Sequence, residues 1–278
     1  MFSSARIWRG ERKRIESKFI ASTFSLLALL SALCFSSLQA QQEEPLDAEF
    51  EMPVPIRTVQ EISFKTSVFT FVRIKYSNRS GADRTGAAWL TDFPDADRAL
   101  SNQVERSTGL TIDPDGLQLE LTDPALQDYP FIYIVEAGQM RLSDDEAVAL
   151  RNYLLGGGFL MADDFWGEYE WGLFAEELHR VFPDREPVEL TVDHEIFQSF
   201  YYVSETPQVP GRGGARPGTQ DRLLGLLDDN GRLMAILCHN HDFGDAWEHL
   251  NDPWYPKEIS LGHAVPMGVN IVVYALSR

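Results

Sequence analysis

The sequence predicts an α/β protein built on a mostly parallel sheet with helices on both faces. Three observations lead there. Residues 131–135 (FIYIV) and 159–162 (FLMA) are unbroken apolar runs, the pattern of strands covered on both faces. Between them Ser143 and Glu146 have capping-box spacing, and the helix they open stops at Gly156, Gly157 and Gly158. A strand, helix, strand order requires a right-handed crossover between parallel strands. Sheets of that kind take ligands beyond the carboxyl ends of their strands, which directs attention to residues 136–139 and 163–167.

In chain order, residues 1–40 read as an export signal: Arg6, Arg9, Arg12, Lys13, Arg14 and Lys18 stand against only Glu11 and Glu16, and residues 19–38 carry no charge. Cleavage after Ala40 is the expectation, with a periplasmic or extracellular protein as the result. A signal-anchored chain is the alternative, because about twenty apolar residues can cross a bilayer. Residues 41–66 form a tether, rich in Gln, Glu and Pro at its start, and the domain is expected over 67–278. Within it, residues 68–76 are β-branched and aromatic enough for a strand, 95–107 have helical spacing, and 117–121 alternate as a short strand. A helix is expected over 170–181, and an apolar one over 265–276 closes the chain. Residues 222–227 and 232–238 flank Asp228, Asp229, Asn230 and Gly231, which predicts a β-hairpin inserted into the fold. Residues 209–219 (VPGRGGARPGT) read as a loop, a lid or a tolerated insertion.

Removing residues 1–40 takes the count from 24 basic and 42 acidic residues to 18 and 40, a net charge near −22. A surface that acidic repels nucleic acid and anionic lipid, so neither is expected as a partner. Membrane contact is expected only through the first segment, if it stays uncleaved. Cys238 is then the one thiol left, so an intramolecular disulfide is excluded.

Several segments together resemble one family: RIKY at 73–76, YPFIYIVEAG at 129–138, GGFLMADDFWG at 157–167, VFP at 181–183, DHEIF at 193–197, DFGDAWE at 242–248 and MGVNIVVYAL at 267–276. They are similar to the domain-of-unknown-function 4159 family of bacteria, over about residues 67–277. The resemblance implies a flavodoxin-like layered sheet similar to class I glutamine amidotransferases. In those enzymes the corresponding turn carries a nucleophilic cysteine with an oxyanion hole beside it. Here that turn reads Ala162, Asp163, Asp164, Phe165, and Cys238 lies on a different expected strand. His194 and Glu195 imitate the family's His-Glu pairing, but a base without a nucleophile cannot run acyl transfer. Glutamine hydrolysis is therefore rejected.

Asp163 and Asp164 are the strongest local signal, because adjacent carboxylates repel unless a cation, donors or water compensate; capping of the next helix is the structural reading. Glu136, Gly138, Trp166, His194 and Trp247 complete the expected ligand cleft. His239, His241, Asp242 and Asp245, joined to Asp163 and Asp164, form the candidate set for a divalent metal, since imidazole and carboxylate suit zinc or manganese. No metal motif is matched, and ordinary loop hydrogen bonding is the competing reading. Trp166, Tyr169, Trp171, Trp247, Trp254 and Tyr255 crowd the same two regions, where they either grip a ligand or pack the rim.

The leading functional expectation is a non-catalytic module of the cell envelope that binds a ligand or a protein. The alternative is a metal-assisted hydrolase acting on a glycan or other envelope substrate.

Overall fold

The computed structural model describes residues 52–58, 60, 62–64, 66–79, 88–211 and 220–278. The expected export signal, residues 41–51 of the tether and residues 212–219 of the Gly/Pro/Arg-rich loop lie outside the described residues.

Eleven strands are present among the described residues: β1 Val68–Phe69, β2 Val72–Lys75, β3 Ser77–Asn78, β4 Thr111–Ile112, β5 Leu117–Glu120, β6 Phe131–Ile134, β7 Met140–Arg141, β8 Phe159–Phe165, β9 Val188–Glu189, β10 Arg222–Leu227 and β11 Leu233–His239. The helices are α1 Asp95–Thr108, α2 Asp144–Leu155, α3 Gly167–Val181, α4 Phe243–Glu248 and α5 Val265–Ser277. Seven strands make the central sheet in the order β5-β2-β6-β8-β11-β10-β9. Neighbours from β5 through β11 run parallel, and β10 and β9 complete the sheet antiparallel.

Alternation along the strands assigns each face its own core. Phe131, Tyr133, Phe159 and Met161 pack with Leu100 and Val104 of α1 and with Trp247 and α5. Ile132, Ile134, Leu160 and Ala162 pack on the opposite side with Leu150 and Leu154 of α2 and Phe174 and Leu178 of α3. Every residue of β6 and β8 is buried, as their continuous apolar runs require. The capping box of α2 is formed in both directions, Ser143 to the Glu146 amide and Glu146 back to the Ser143 amide. Residues 258–277 are long and apolar enough to cross a membrane, yet Val265 to Leu276 are all buried in this fold. Asn270, inside that helix, accepts from the Phe200 and Tyr201 amides and donates to the Tyr201 carbonyl, which clasps the segment running past it.

Two expectations change in detail. The strand expected over 68–76 is divided because its partner is divided: Phe69 O accepts from the Asp113 amide and Phe71 O from the Leu117 amide, on either side of a turn at Gly116. Gly116 has φ +58, and a side chain there would meet Phe71 O at 2.9 Å. The hairpin is also no insertion. Its second strand, β11, is buried throughout and lies parallel to β8 in mid-sheet, so the hairpin completes the sheet. Asp228 shapes the turn by accepting from the Asn230 and Arg232 amides, and Arg232 then ties it to the end of α2 through the Leu154 and Gly158 carbonyls.

Candidate functional site

The strands β6, β8 and β11 end side by side, and the polar residues that follow them meet the turn that enters α1. Arg73, fully buried on β2, positions that turn. Its guanidinium grips Asp97 of α1 at 2.5–3.1 Å and donates to the Trp89 and Thr91 carbonyls, which carries the chain into Asp92. Four non-glycine residues among those described have left-handed φ: Asp92, Glu136, Asp164 and Asn240. Glu136 and Asn240 follow β6 and β11, Asp164 is the last residue but one of β8, and Asp92 precedes α1, so backbone strain is concentrated along this one edge.

Asp163 sits at its centre, without solvent exposure. Its Oδ2 accepts from the Tyr133 hydroxyl at 2.9 Å and from the amides of Phe243 and Gly244 at 2.9 and 3.0 Å. Its Oδ1 is buried with no partner among the described residues, and Asp92 Oδ2 is in the same condition. Gly244 is the joint between these carboxylates: a Cβ there would lie 2.4 Å from Asp92 Oδ2 and 3.0 Å from the Tyr133 hydroxyl. Asp164 accepts from the Trp166 indole at 2.6 Å. Asp242 caps α4 through the Asp245 amide at 2.8 Å.

The electrostatics follow from burial without a matching cation. Burial first, then the neighbouring Asp164 charge, pushes Asp163 up to about 8. Burial, a hydrogen bond with Glu248 and the Asp164 charge push Asp92 up to about 9. Asp242 is driven well above the usual carboxylate range by burial and then by Asp164, Asp163, Asp92 and Asp245. Arg73 acts on Asp92 only through space, because its guanidinium is engaged with Asp97.

Of the residues expected from the sequence, Asp163, Asp164, Asp242 and Asp245 are gathered here. The two histidines of the expected metal set are placed otherwise. His239 accepts from Arg222 at Nδ1, so its Nε2–H faces the Gly167 carbonyl at 3.1 Å, and the ring stacks on Phe165 and lies tilted against Trp171. His241 is fully buried against Phe243, and burial holds it neutral, down to about 3. His194 accepts from the Ile196 amide and caps the short 195–198 helix beside Tyr274, so it braces a loop. Trp247 is core: its indole donates to the Ala264 carbonyl and its rings pack on Tyr133 and Phe243. Glu136 takes a left-handed turn after β6, while Gly138 lets Glu170 approach, where a Cβ would meet it at 2.6 Å; Glu170 in turn accepts from the Trp166 amide.

Five residues escaped the sequence reading. Arg73 and Tyr133 are polar atoms in strands otherwise built for burial, a signal that each must find a partner. Asp92 gives no such signal, being ordinary in composition before a Phe-Pro step. Glu248 and His249 stand three and four residues after Asp245, the spacing that shares one helical face. Among the described residues, Asp245, Glu248 and His249 form the group whose ligand atoms all lie within 4.8 Å of one another.

Chemically this edge can hold positive charge and exchange protons near neutral pH. It offers no thiol: Cys238 is buried in β11 and its proton is held more tightly by burial and by Asp163.

The fold and the site define an α/β protein with a parallel-sheet centre and a carboxylate-rich carboxyl edge. Residues 70–276 match the family model described as Domain of unknown function (DUF4159), and the chain belongs to that family. Among curated proteins the chain has no match.

Proposed function

We propose that this protein is an exported, non-catalytic binding module of the cell envelope, on a flavodoxin-like, amidotransferase-like sheet, whose carboxyl edge receives a positively charged ligand or partner group. The observation that carries this reading is the Asp163 carboxylate: fully buried, donated to on one oxygen by three groups, and left on the other without a partner or a basic side chain. Burying carboxylates in this way is costly unless something cationic completes them. The strained residues of the same edge support the reading, because strain persists where function requires it. The lack of a suitable thiol supports binding over acyl transfer.

The test is thermal unfolding of the full chain with spermidine, arginine, Mn²⁺ and Zn²⁺, against glutamate and glucose as controls. Cations are expected to raise the Tm by roughly 5–10 °C at a hundredfold excess over Kd. A double variant, Asp163→Asn with Asp164→Asn, should reduce the shift, by removing neighbouring negative charge, while remaining folded. If no cation stabilises the protein, or the double variant responds as the wild type does, the reading fails.

A second reading, metal-assisted hydrolysis of a glycan or other envelope substrate, is favoured by one observation, the Asp245, Glu248 and His249 group. It requires metal-dependent release of product from peptidoglycan fragments, which the binding module would not give.

A further inference from the structure

We infer that Asp245, Glu248 and His249 form a divalent transition-metal site, and that the positive charge received at this edge is a metal ion held at the C-terminal end of α4. The inference rests on the cationic reading above and specifies its ligand. It differs from the ligand set expected from the sequence, which relied on His239 and His241.

Geometry is the first argument. His249 Nε2 lies 3.5 Å from Asp245 Oδ1 and 3.9 Å from Glu248 Oε1. Ligands about 2.1 Å from a tetrahedral metal stand about 3.4 Å from each other, so small side-chain rotations close the group on an ion. The second argument is the histidine's far side. His249 Nδ1 lies 2.8 Å from Asp252 Oδ2, so in the neutral ring Nδ1 carries the proton and Nε2 presents the lone pair. A carboxylate behind the ring is how metal-bound histidines are usually oriented. Asp92 plays the same part for Glu248 by sharing a hydrogen bond with it.

Independent of those contacts are two orphaned oxygens, Asp163 Oδ1 and Asp92 Oδ2. Asp163 is completely buried, and Asp92 is hydrogen-bonded to Glu248, so one of these two oxygens, Asp92 Oδ2, belongs to a residue in contact with the group. Access comes from the Glu248 side, the most exposed of the three side chains at 28%, against 11% for Asp245 and 7% for His249. Trp254, half exposed and 4.5 Å from the His249 ring, shields its other face. One nitrogen with two carboxylates suits Zn²⁺ or Mn²⁺ better than Ca²⁺ or Mg²⁺, which favour all-oxygen shells.

The experiment strips the full chain with EDTA, removes the chelator, and titrates Mn²⁺, Zn²⁺, Ca²⁺ and Mg²⁺ by calorimetry, with Mn²⁺ also followed by electron paramagnetic resonance. Binding of one Mn²⁺ or Zn²⁺ is expected, preferred at least about tenfold over Ca²⁺ and Mg²⁺. Asp252→Asn should weaken it 10–100-fold, and Glu248→Gln and His249→Ala by more than about 100-fold. Far-UV circular dichroism reports folding; if His249→Ala does not fold, the isosteric Glu248→Gln decides alone. Metal binding that survives Glu248→Gln, or a preference for Ca²⁺ or Mg²⁺, overturns the inference. Stabilisation by spermidine or arginine with no response to any divalent ion overturns it too, while leaving the cationic reading standing. No response to any cation removes both.

Discussion

Asp97 and Asp163 are both buried carboxylates, one bonded to Arg73 and the other to the Tyr133 that Arg73 covers, and they are completed in opposite ways. Asp97 meets a guanidinium: Arg73 grips both its oxygens and stacks over Tyr133 at 5.1 Å from the ring centroid. Asp163 meets only neutral donors on one oxygen and nothing on the other. The first pair closes its own electrostatics and so serves the architecture, fixing the turn that leads to Asp92. The second keeps one buried oxygen without a partner among the described residues, and that oxygen is where the cationic proposal starts.

The largest expected effect breaks the completed pair. Asp97→Ala should cost roughly 3–5 kcal/mol in urea unfolding, because it strands the Arg73 charge in the core. Asp163→Asn should stay within about 1 kcal/mol of wild type near neutral pH, since an amide oxygen still accepts from Tyr133 and the α4 amides and one uncharged side chain replaces another. Equal losses in the two variants would erase the distinction. Gly244→Ala tests whether the Asp163 and Asp92 carboxylates depend on close approach. The added methyl meets Asp92 Oδ2 and the Tyr133 hydroxyl, so a loss of about 1–3 kcal/mol is expected, with an altered response to cations.

pH sharpens the comparison further. Asp163 at about 8 and Asp92 at about 9 keep protons in the folded state that the unfolded chain releases near 3.8. A raised folded-state value confers stability that is full below the unfolded value and is lost as pH rises to the folded one. The Tm of the chelator-treated protein should therefore fall between pH 5 and pH 9 and level off above that, and Asp163→Asn should flatten the slope. A Tm that does not fall over this range would show that neither carboxyl holds its proton to about pH 8–9 in the folded state. The smallest effect belongs to Cys238→Ser. It should cost about 1–2 kcal/mol for a buried hydroxyl and leave cation binding unchanged; loss of binding at unchanged Tm would give the thiol a role.

The sheet was legible in the sequence because burial on both faces forces a simple signal, as in residues 131–135 and 159–162. The capping box of α2 was legible for a similar reason, since it needs only residues that are neighbours in sequence. The division of the first strand was not, because it is dictated by a turn at Gly116 more than forty residues away from Val68. At the site, Asp163 and Asp164 could be read from an adjacent pair of charges after a strand. Asp92 could not, because its place depends on Arg73 holding Trp89 and Thr91 from another strand. The histidines misled for a local reason: an alternating pair on an extended strand should share a face, but Asn240 turns left-handed between them and sends the two rings to different surroundings.

The place of β11 also governs the order in which this chain can become a protein. It is the only described strand that pairs with both β8 and β10, and it comes from the last quarter of the sequence, just before the helix that roofs one face. Until that stretch has left the ribosome, β8 has an open flank of unpaired amides and carbonyls, and pairings between residues this distant form slowly. Any product ending before Leu233 would lack the middle of its sheet and present that flank to other copies of itself. Premature termination late in synthesis should therefore yield insoluble material in place of a smaller working domain.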